Sequence, residues 1–564
     1  MALRFASPVC SLFLLAALAI SNSAWAATPA REVVVDLIEQ HCVYCHDADA
    51  FEGKLDLDSI LTDDVAKHTQ VWEKVLRKLD ARQMPPLGED RPSAEQYEVI
   101  TTQLANSLDR AAAENPNPGR TDTFRRLNRT EYQNAVRDLL ALEIDAAALL
   151  PADESSHGFD HITVGDLPPA LLTRYVQAAQ KISRLAVGRP GDGPDGTTYR
   201  IPPDVTQEKH VSGLPLGTRG GGLFRHTFVQ DGEYEVQIRL TRDRNDEVEG
   251  LHGSHQLEVL LARERVAQFT VGRPKKRAAT HFDDTQLRAR FQVKAGPRDL
   301  GVTFVDNGHT LEETKRQPLN VHFNLHRHPR LSPAIYQVSI TGPFAKEESD
   351  QPRTETPSRQ RIFAVRPASP ENEEAAARKI LSSLARRAYR RPVNDDDMNR
   401  LLEFFRQAQQ QDGFEAGIEM GLSAILTSPH FLFKIERDPV TEELAAGEPY
   451  EISDLELASR LSFFLWSSIP DEPLLAAAER GELRQPHVLE EQVRRMLADA
   501  RASSLATNFA SQWLHLRNLD SKTPDGRLFP DFDHNLRVAM RQETELHFQH
   551  LVQADGSVLD MIDT

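Results

Sequence analysis

Cys42-Val43-Tyr44-Cys45-His46 sets two thiols three positions apart, with a histidine directly after the second. This is the attachment pattern of a c-type haem. Each thiol adds across one haem vinyl group to make a thioether, and His46 is thereby held under the iron as an axial ligand. The chain has only 3 cysteines, and the third, Cys10, lies in a segment expected to be cleaved. Other readings of the motif fit less well. A thioredoxin-like pair needs a βαβ context, and the stretch from Arg31 to Gln40 reads as a helix running into the motif. A structural zinc site needs four ligands, and there is no second C-x-x-C and no paired His/Cys. A disulfide between residues three apart closes a very small loop and adds little stability.

The N-terminus points the same way. Arg4 is the only early charge, Cys10 to Ile20 is an apolar run, and Ala24-Trp25-Ala26 is a small-x-small cleavage site, so residues 1–26 read as a signal peptide. The run is shorter than the roughly 20 residues of a membrane span. Export to the periplasm or cell envelope follows, on the side of the membrane where haem is attached covalently. No other segment is apolar for long enough to span a bilayer. At about 150 residues per domain, the chain holds about four domains. Its net charge of −18 argues against nucleic acid or anionic membrane as a main partner.

An electron-transfer haem needs a ligand opposite His46. Met84 is the candidate, in Arg82-Gln83-Met84-Pro85-Pro86-Leu87, where two prolines stiffen the loop that presents the sulfur. Thioether ligation favours reduced iron and raises the potential. His68, in the polar stretch Ala66-Lys67-His68-Thr69-Gln70, is the competing ligand and reads as surface. Val33, Leu37 and Ile38 form an apolar face before the haem motif, and Val71, Val75 and Leu79 another before the methionine loop. Ser93 is a candidate N-cap, with Tyr97, Ile100, Leu104 and Leu108 following at helical spacing. Helices, haem motif and methionine loop together look like a class I cytochrome c over residues 31–114. Gly53-Lys54-Leu55-Asp56-Leu57-Asp58 and the Met84-Pro85-Pro86 turn narrow the resemblance. They are similar to the cytochrome c domain of large secreted multidomain proteins of planctomycetes and some marine proteobacteria.

Asn115-Pro116-Asn117-Pro118-Gly119 is a linker by composition. Over 121–190, Phe124-Arg125-Arg126-Leu127-Asn128-Arg129-Thr130-Glu131-Tyr132 opens a helix containing Ala135, Val136, Leu139 and Leu140, and a second helix covers about Pro169 to Val187. This resembles the helical domain of unknown function that follows the cytochrome in the same proteins. Arg125, Arg126, Asn128, Arg129 and Asp153 are tempting as a site, but charges on a helix are more commonly solvated.

Over 196–345 the apolar period becomes two. Tyr234-Glu235-Val236-Gln237-Ile238-Arg239-Leu240 alternates, as do shorter runs at Leu257, Phe291 and Gly301, with turns at Asp231-Gly232 and Ala295-Gly296-Pro297. A β-sandwich follows, similar at fold level to carbohydrate-binding modules, with carbohydrate a candidate ligand. Fold alone does not assign function, and the stretch has no tryptophan. His252, His255, His322, His326 and His328 suggest metal only weakly, since no carboxylate partner is fixed by the sequence.

Helical periodicity returns over 360–440, where one helix ends at Pro392 and another, led by Phe414, ends at Ser428-Pro429. Over 448–564, Ser453 and Glu456 make a capping-box start. These blocks resemble the later helical domains of the planctomycete-type proteins. The family often has a cysteine near Val365 and another near Ala376, and this chain has neither. The ending at Gly556 to Thr564 reads as cut short within a domain.

The expected fold is therefore multidomain: an all-α cytochrome c domain, a helical domain, a β-sandwich, then all-α C-terminal domains. The expected function is an exported monohaem c-type cytochrome carrying one covalent haem c, with Cys42 and Cys45 as attachment points and His46 and Met84 on the iron. It would exchange electrons with attached domains or a partner oxidoreductase. The alternative is an envelope binding or scaffold protein with a haem redox or gas sensor. A haem peroxidase ranks third, because bound Met84 would block its open face. No P-loop, dinucleotide-binding glycines or G-x-S-x-G motif announces other catalysis.

Overall fold

The computed structural model describes residues 34–114, 116, 119, 123–154, 158–160, 167–189, 193–272, 282–306, 308, 330–344, 354–438 and 449–563. The expected signal peptide, Cys10, Val33, His322, His326 and His328 lie outside these residues. The chain forms two compact units, the first containing 34–119 and the second containing 123–438 and 452–563.

In the first unit, residues 34–38 are helical and run into a π turn, Glu39–Val43. Helix α1 (Thr69–Asp80) buries Trp72, Val75 and Leu79, and α2 (Ala94–Glu114) buries Tyr97, Ile100, Leu104 and Leu108. The apolar residues repeat at three- and four-residue steps, so each helix turns one stripe inward. Ser93 caps α2. Its Oγ accepts from the Gln96 N–H at 3.2 Å, and the Gln96 side chain accepts from the Ser93 N–H at 2.8 Å. These stripes close on Leu37, Ile38, Leu57 and Leu61 in one core.

The second unit combines helices with a β-sandwich. Two antiparallel four-stranded sheets make up the sandwich. Alongside the short strand β1 (Phe124–Arg126), its strands are β2 (Asp195–Arg200), β3 (Thr218–Phe228), β4 (Gly232–Leu240), β5 (Ser254–Leu261), β6 (Glu264–Gly272), β7 (Arg288–Val293), β8 (Gly296–Val305) and β9 (Ile335–Gly342). One sheet has the order β2-β9-β4-β7, the other β3-β8-β5-β6. Val236 and Ile238 from the first meet Leu257, Val259, Val302 and Phe304 from the second in a shared core. Alternate residues of β4 are buried because successive strand side chains point to opposite faces.

The helices preceding and following the sandwich in sequence share a single core. It joins α3 (Arg129–Leu140) and α4 (Pro169–Val187) to α5 (Glu373–Tyr389), α6 (Asp395–Asp412) and α7 (Phe414–Thr427). Close packing of α7 depends on glycine: a Cβ at Gly417 would lie 2.5 Å from the Phe405 ring, and one at Gly421 would lie 2.8 Å from Leu381. A second core lies around α8 (Asp454–Trp466), α9 (Glu472–Glu479) and α10 (Pro486–Ala498), with a long helix α11 (His534–Ala554) beyond them. The capping box of α8 is present, with the Glu456 N–H donating to Ser453 Oγ at 3.3 Å.

The start of α3 differs from the sequence reading. Phe124–Arg126 is strand, pairing antiparallel with β10 (Phe433–Ile435), and the helix begins at Arg129 behind an Asn128–Glu131 capping box. Pairing with a segment far away in the chain outweighs local helix propensity here.

Candidate functional site

The haem motif occupies the end of the first helical stretch. The His46 N–H donates to the Cys42 and Val43 carbonyls at 3.1 and 2.9 Å, and the Cys45 N–H donates to Cys42 O at 3.3 Å. Residues three apart on such a turn are surface neighbours, so both thiols lie to one side, while Tyr44 is 85% exposed. Cys42 packs against the core, and both thiols are free. Burial, and secondarily the neighbouring Cys45, pushes the Cys42 thiol up to about 11. A redox-active C-x-x-C pair instead holds its thiolate at a lowered pKa.

His46 Nδ1 lies 2.9 Å from the Glu52 carbonyl oxygen. A carbonyl only accepts, so Nδ1 carries the hydrogen, and Nε2 of the neutral ring is left as the lone-pair nitrogen. Metal-binding histidines are oriented by such a bond from the other ring nitrogen. The intervening loop is folded back onto the motif, with the Glu52 N–H on Cys45 O at 3.0 Å and the Leu57 N–H on His46 O at 2.7 Å. Gly53, at φ +64, supplies a left-handed turn there.

Met84 sits between α1 and α2 and is 37% exposed. Its carbonyl accepts from Tyr97 Oη at 2.8 Å. Arg91 donates to Tyr97 Oη at 3.3 Å and to the Arg82 carbonyl at 2.6 Å, and the Arg82 guanidinium lies 4.0 Å over the Tyr97 ring. The methionine loop is thus fastened to α2 by three contacts, all on Tyr97. His68 Nε2 is engaged by Asp63 at 2.9 Å, and this bond holds the Asp63 carboxyl below its ordinary range.

The core of this unit contains polar atoms that no protein group satisfies. Trp72, 3% exposed, has no acceptor for Nε1, and both ring nitrogens of His41 lack a hydrogen-bond partner. His41 Nδ1 comes within 3.2 Å of an Asp90 carboxylate oxygen, but only as an ion-pair approach without hydrogen-bond geometry. Unpaired buried donors are uncommon and call for a partner. Two unbonded thiols, an oriented imidazole, a fastened methionine loop and unpaired core donors suit a covalently held group with polar substituents, as haem is. Among the described residues, no group of three or more His, Cys, Asp or Glu could hold a separate metal ion. No described helix is long and apolar enough to cross a membrane.

Sequence reasoning singled out Cys42, Cys45, His46 and Met84 as candidates but not Trp72, His41 or the Glu52 carbonyl. Trp72 hides within the apolar stripe of α1, and a backbone carbonyl leaves no mark in sequence. The charges near α3 are corrected, because they are paired and half-buried, not solvated. Arg126 meets Asp153 at 3.1 Å, the Arg129 N–H donates to Asp153 at 2.7 Å, and Asn128 is 2% exposed. Glu131 bonds Lys434 at 2.6 Å, both nearly buried. The β1–β10 pairing draws this segment inward.

Comparison with known families assigns four segments. Residues 42–88 match the family described as Planctomycete cytochrome C, a stretch that takes in Cys42, Cys45, His46 and Met84. Residues 125–188, 376–436 and 452–564 match three families described as proteins of unknown function, DUF1587, DUF1595 and DUF1592. The β-sandwich lies between the second and third of these segments. No match was found among curated proteins or among solved structures.

Proposed function

This chain is a multidomain cytochrome c protein of the planctomycete type, and on that premise we propose that it is an exported monohaem c-type cytochrome. It carries electrons to or from its attached domains or a partner oxidoreductase. Cys42 and Cys45 would form the thioethers, His46 would provide the first axial ligand through Nε2, and Met84 the second. When bound, the haem supplies a one-electron centre. The residues of the chain orient and insulate it: the Glu52 carbonyl fixes the plane of His46, and Tyr97, Arg91 and Arg82 hold the methionine loop. The observation that carries the reading is the His46 Nδ1 bond to Glu52 O at 2.9 Å, which leaves Nε2 as the ligating nitrogen beside two free thiols.

A second reading, an envelope binding or scaffold protein with the haem as a redox or gas sensor, draws on the 37% exposure of Met84. A side chain that open can leave the iron. The β-sandwich keeps carbohydrate as a candidate ligand on fold resemblance alone.

Protein made with a c-haem maturation system should keep haem through denaturing electrophoresis and stain for haem peroxidase activity. Colourless protein ends the cytochrome reading. The weak long-wavelength thioether band of the ferric spectrum separates the two readings: its presence supports the electron carrier, and its absence with ready binding of carbon monoxide supports the sensor.

A further inference from the structure

Away from the haem motif, the second unit carries an aromatic stack that is only partly buried. Phe509, in the π turn Leu505–Ala510, stacks on Phe159 (6.0 Å, 17°) and on Trp513 (6.1 Å, 22°), and Phe464 meets it edge-on at 5.6 Å. Aromatic clusters are usually core. Trp466, on the same helix as Phe464, is 0% exposed, yet Phe464 is 53% and Trp513 49% exposed.

Phe159, Phe509 and Trp513 each adjoin a polar residue in sequence, Asp160, Asn508 and Gln512, so a polar line runs beside the stack. The Asp160 N–H donates to Gln512 at 2.8 Å, and the Asp160 carboxylate accepts from Asn128 at 2.7 Å and from Arg517. Arg517 also reaches Asn508, which in turn donates to Ser467 at 2.9 Å. Ser467, 3% exposed, and His515 both have positive φ, +48 and +56. Left-handed non-glycine residues and π turns are costly and concentrate at functional sites.

We propose that Phe464, Phe509 and Trp513, edged by Asp160 and Arg517, form a binding face for a neutral oligosaccharide. Asp160 and Arg517 compensate each other, so the face offers no net charge to an ionic ligand. The mostly buried Asp160 carboxylate holds Arg517 in place, and the 41% exposed guanidinium, with five N–H donors, can donate to sugar hydroxyls. The C–H face of a pyranose ring packs on the negative face of an aromatic ring. A small apolar ligand needs a pocket that encloses most of its surface, whereas an open face suits a chain of sugars spanning several rings. Phe159 and Asp160 come from the segment matched at 125–188, and the rest from the one matched at 452–564, so the face exists only where these two pack. It depends on neither the haem nor the sandwich.

The test uses the full-length holoprotein, titrated calorimetrically with cellohexaose, laminarihexaose, mannohexaose and xylohexaose, with tryptophan fluorescence as a second readout. Among the described residues, Trp72 and Trp466 are 3% and 0% exposed, so Trp513 is the tryptophan placed to respond. At least one hexaose should bind and shift the emission, and Trp513→Ala should weaken it about tenfold or more. Trp513→Phe should retain part of the affinity, and Tyr336→Ala on the sandwich should leave it unchanged. The thermal midpoint of Trp513→Ala checks its fold; should that variant not fold, Phe464→Ala takes its place with the same expected loss. The proposal is overturned if no hexaose binds, if binding survives the loss of the aromatic ring in a folded variant, or if Tyr336→Ala removes it.

Discussion

In the first unit, Trp72 Nε1 and both ring nitrogens of His41 are buried without a hydrogen-bond partner. In the second, the buried Glu131 carboxylate is taken up by Lys434 at 2.6 Å and by the Asn128 N–H at 3.1 Å, and Asn128 continues to Asp160. Both units hold buried polar atoms without a partner, Tyr132 Oη and Ser183 Oγ among those of the second, but there the buried charges Glu131 and Lys434 are paired with each other. The difference follows from size. A domain of roughly 80 residues buries a modest core and commonly relies on an added staple. The larger unit has enough chain to set Lys434 against the buried Glu131. Beside a C-x-x-C-H motif, the unpaired buried donors of the small core fit a prosthetic group.

That comparison breaks most readily at the thiols. Cys42→Ala combined with Cys45→Ala should abolish haem retention entirely. If the haem completes the core, the first unit should also lose its own unfolding transition while that of the second unit stays in place, as read by thermal melting followed through circular dichroism. An unshifted first transition in the colourless variant would mean that the core is complete without the group. Met84→Ala should be milder. The thioethers keep the haem attached, the sixth position opens to water or imidazole, and the potential falls by a fraction of the ~0.8 V range that axial ligation spans. Redox titration measures this, and an unchanged potential would return Met84 to packing and make His68 the next residue to examine.

The same contrast explains what could be read in the sequence. The haem motif was legible because covalent chemistry fixes both residue type and spacing. Strands β4 and β8 were legible from alternation, and α4 from its helical period bounded by Pro169 and Gly188. The β1–β10 ladder and the burial around Asn128 were not, because each depends on a partner some 300 residues away and the local charges look solvated. Trp72 was hidden for the opposite reason: its spacing announces core, and only its unpaired nitrogen, visible in three dimensions, distinguishes it from filler.

If the second unit depends on its buried Glu131–Lys434 pair, removing one member should be costly there. Glu131→Ala leaves the Lys434 ammonium buried and alone, and should destabilise the second unit by about 3–5 kcal/mol in denaturant titration. The paired replacement Glu131→Gln with Lys434→Met should recover most of that loss. Neither should alter the haem spectrum. Equal stability of Glu131→Ala and wild type would show that this network is ornamental.

The smallest effect tests a half-buried histidine of the sandwich. His226 on β3 has Nδ1 3.1 Å from Tyr199 Oη and its ring edge-on to Phe228 at 4.6 Å. Burial pushes it down to about 4, against a weaker upward pull from Asp195. A depressed folded value means that the unfolded chain takes up the proton first. The stabilisation is therefore fully present above the unfolded value near 6.5 and is lost as pH falls from there through about 4. The full cost is at most ~3 kcal/mol. His226→Phe keeps the ring packing, and Tyr199 Oη still has the Arg225 carbonyl at 3.2 Å. The variant should show a flatter decline in denaturant midpoint over that window than wild type. His255, also shifted downward by burial, contributes equally to both proteins and cancels in the difference. Parallel declines would mean that the His226 ring is hydrated in solution and that its burial does not set the acid sensitivity of the sandwich.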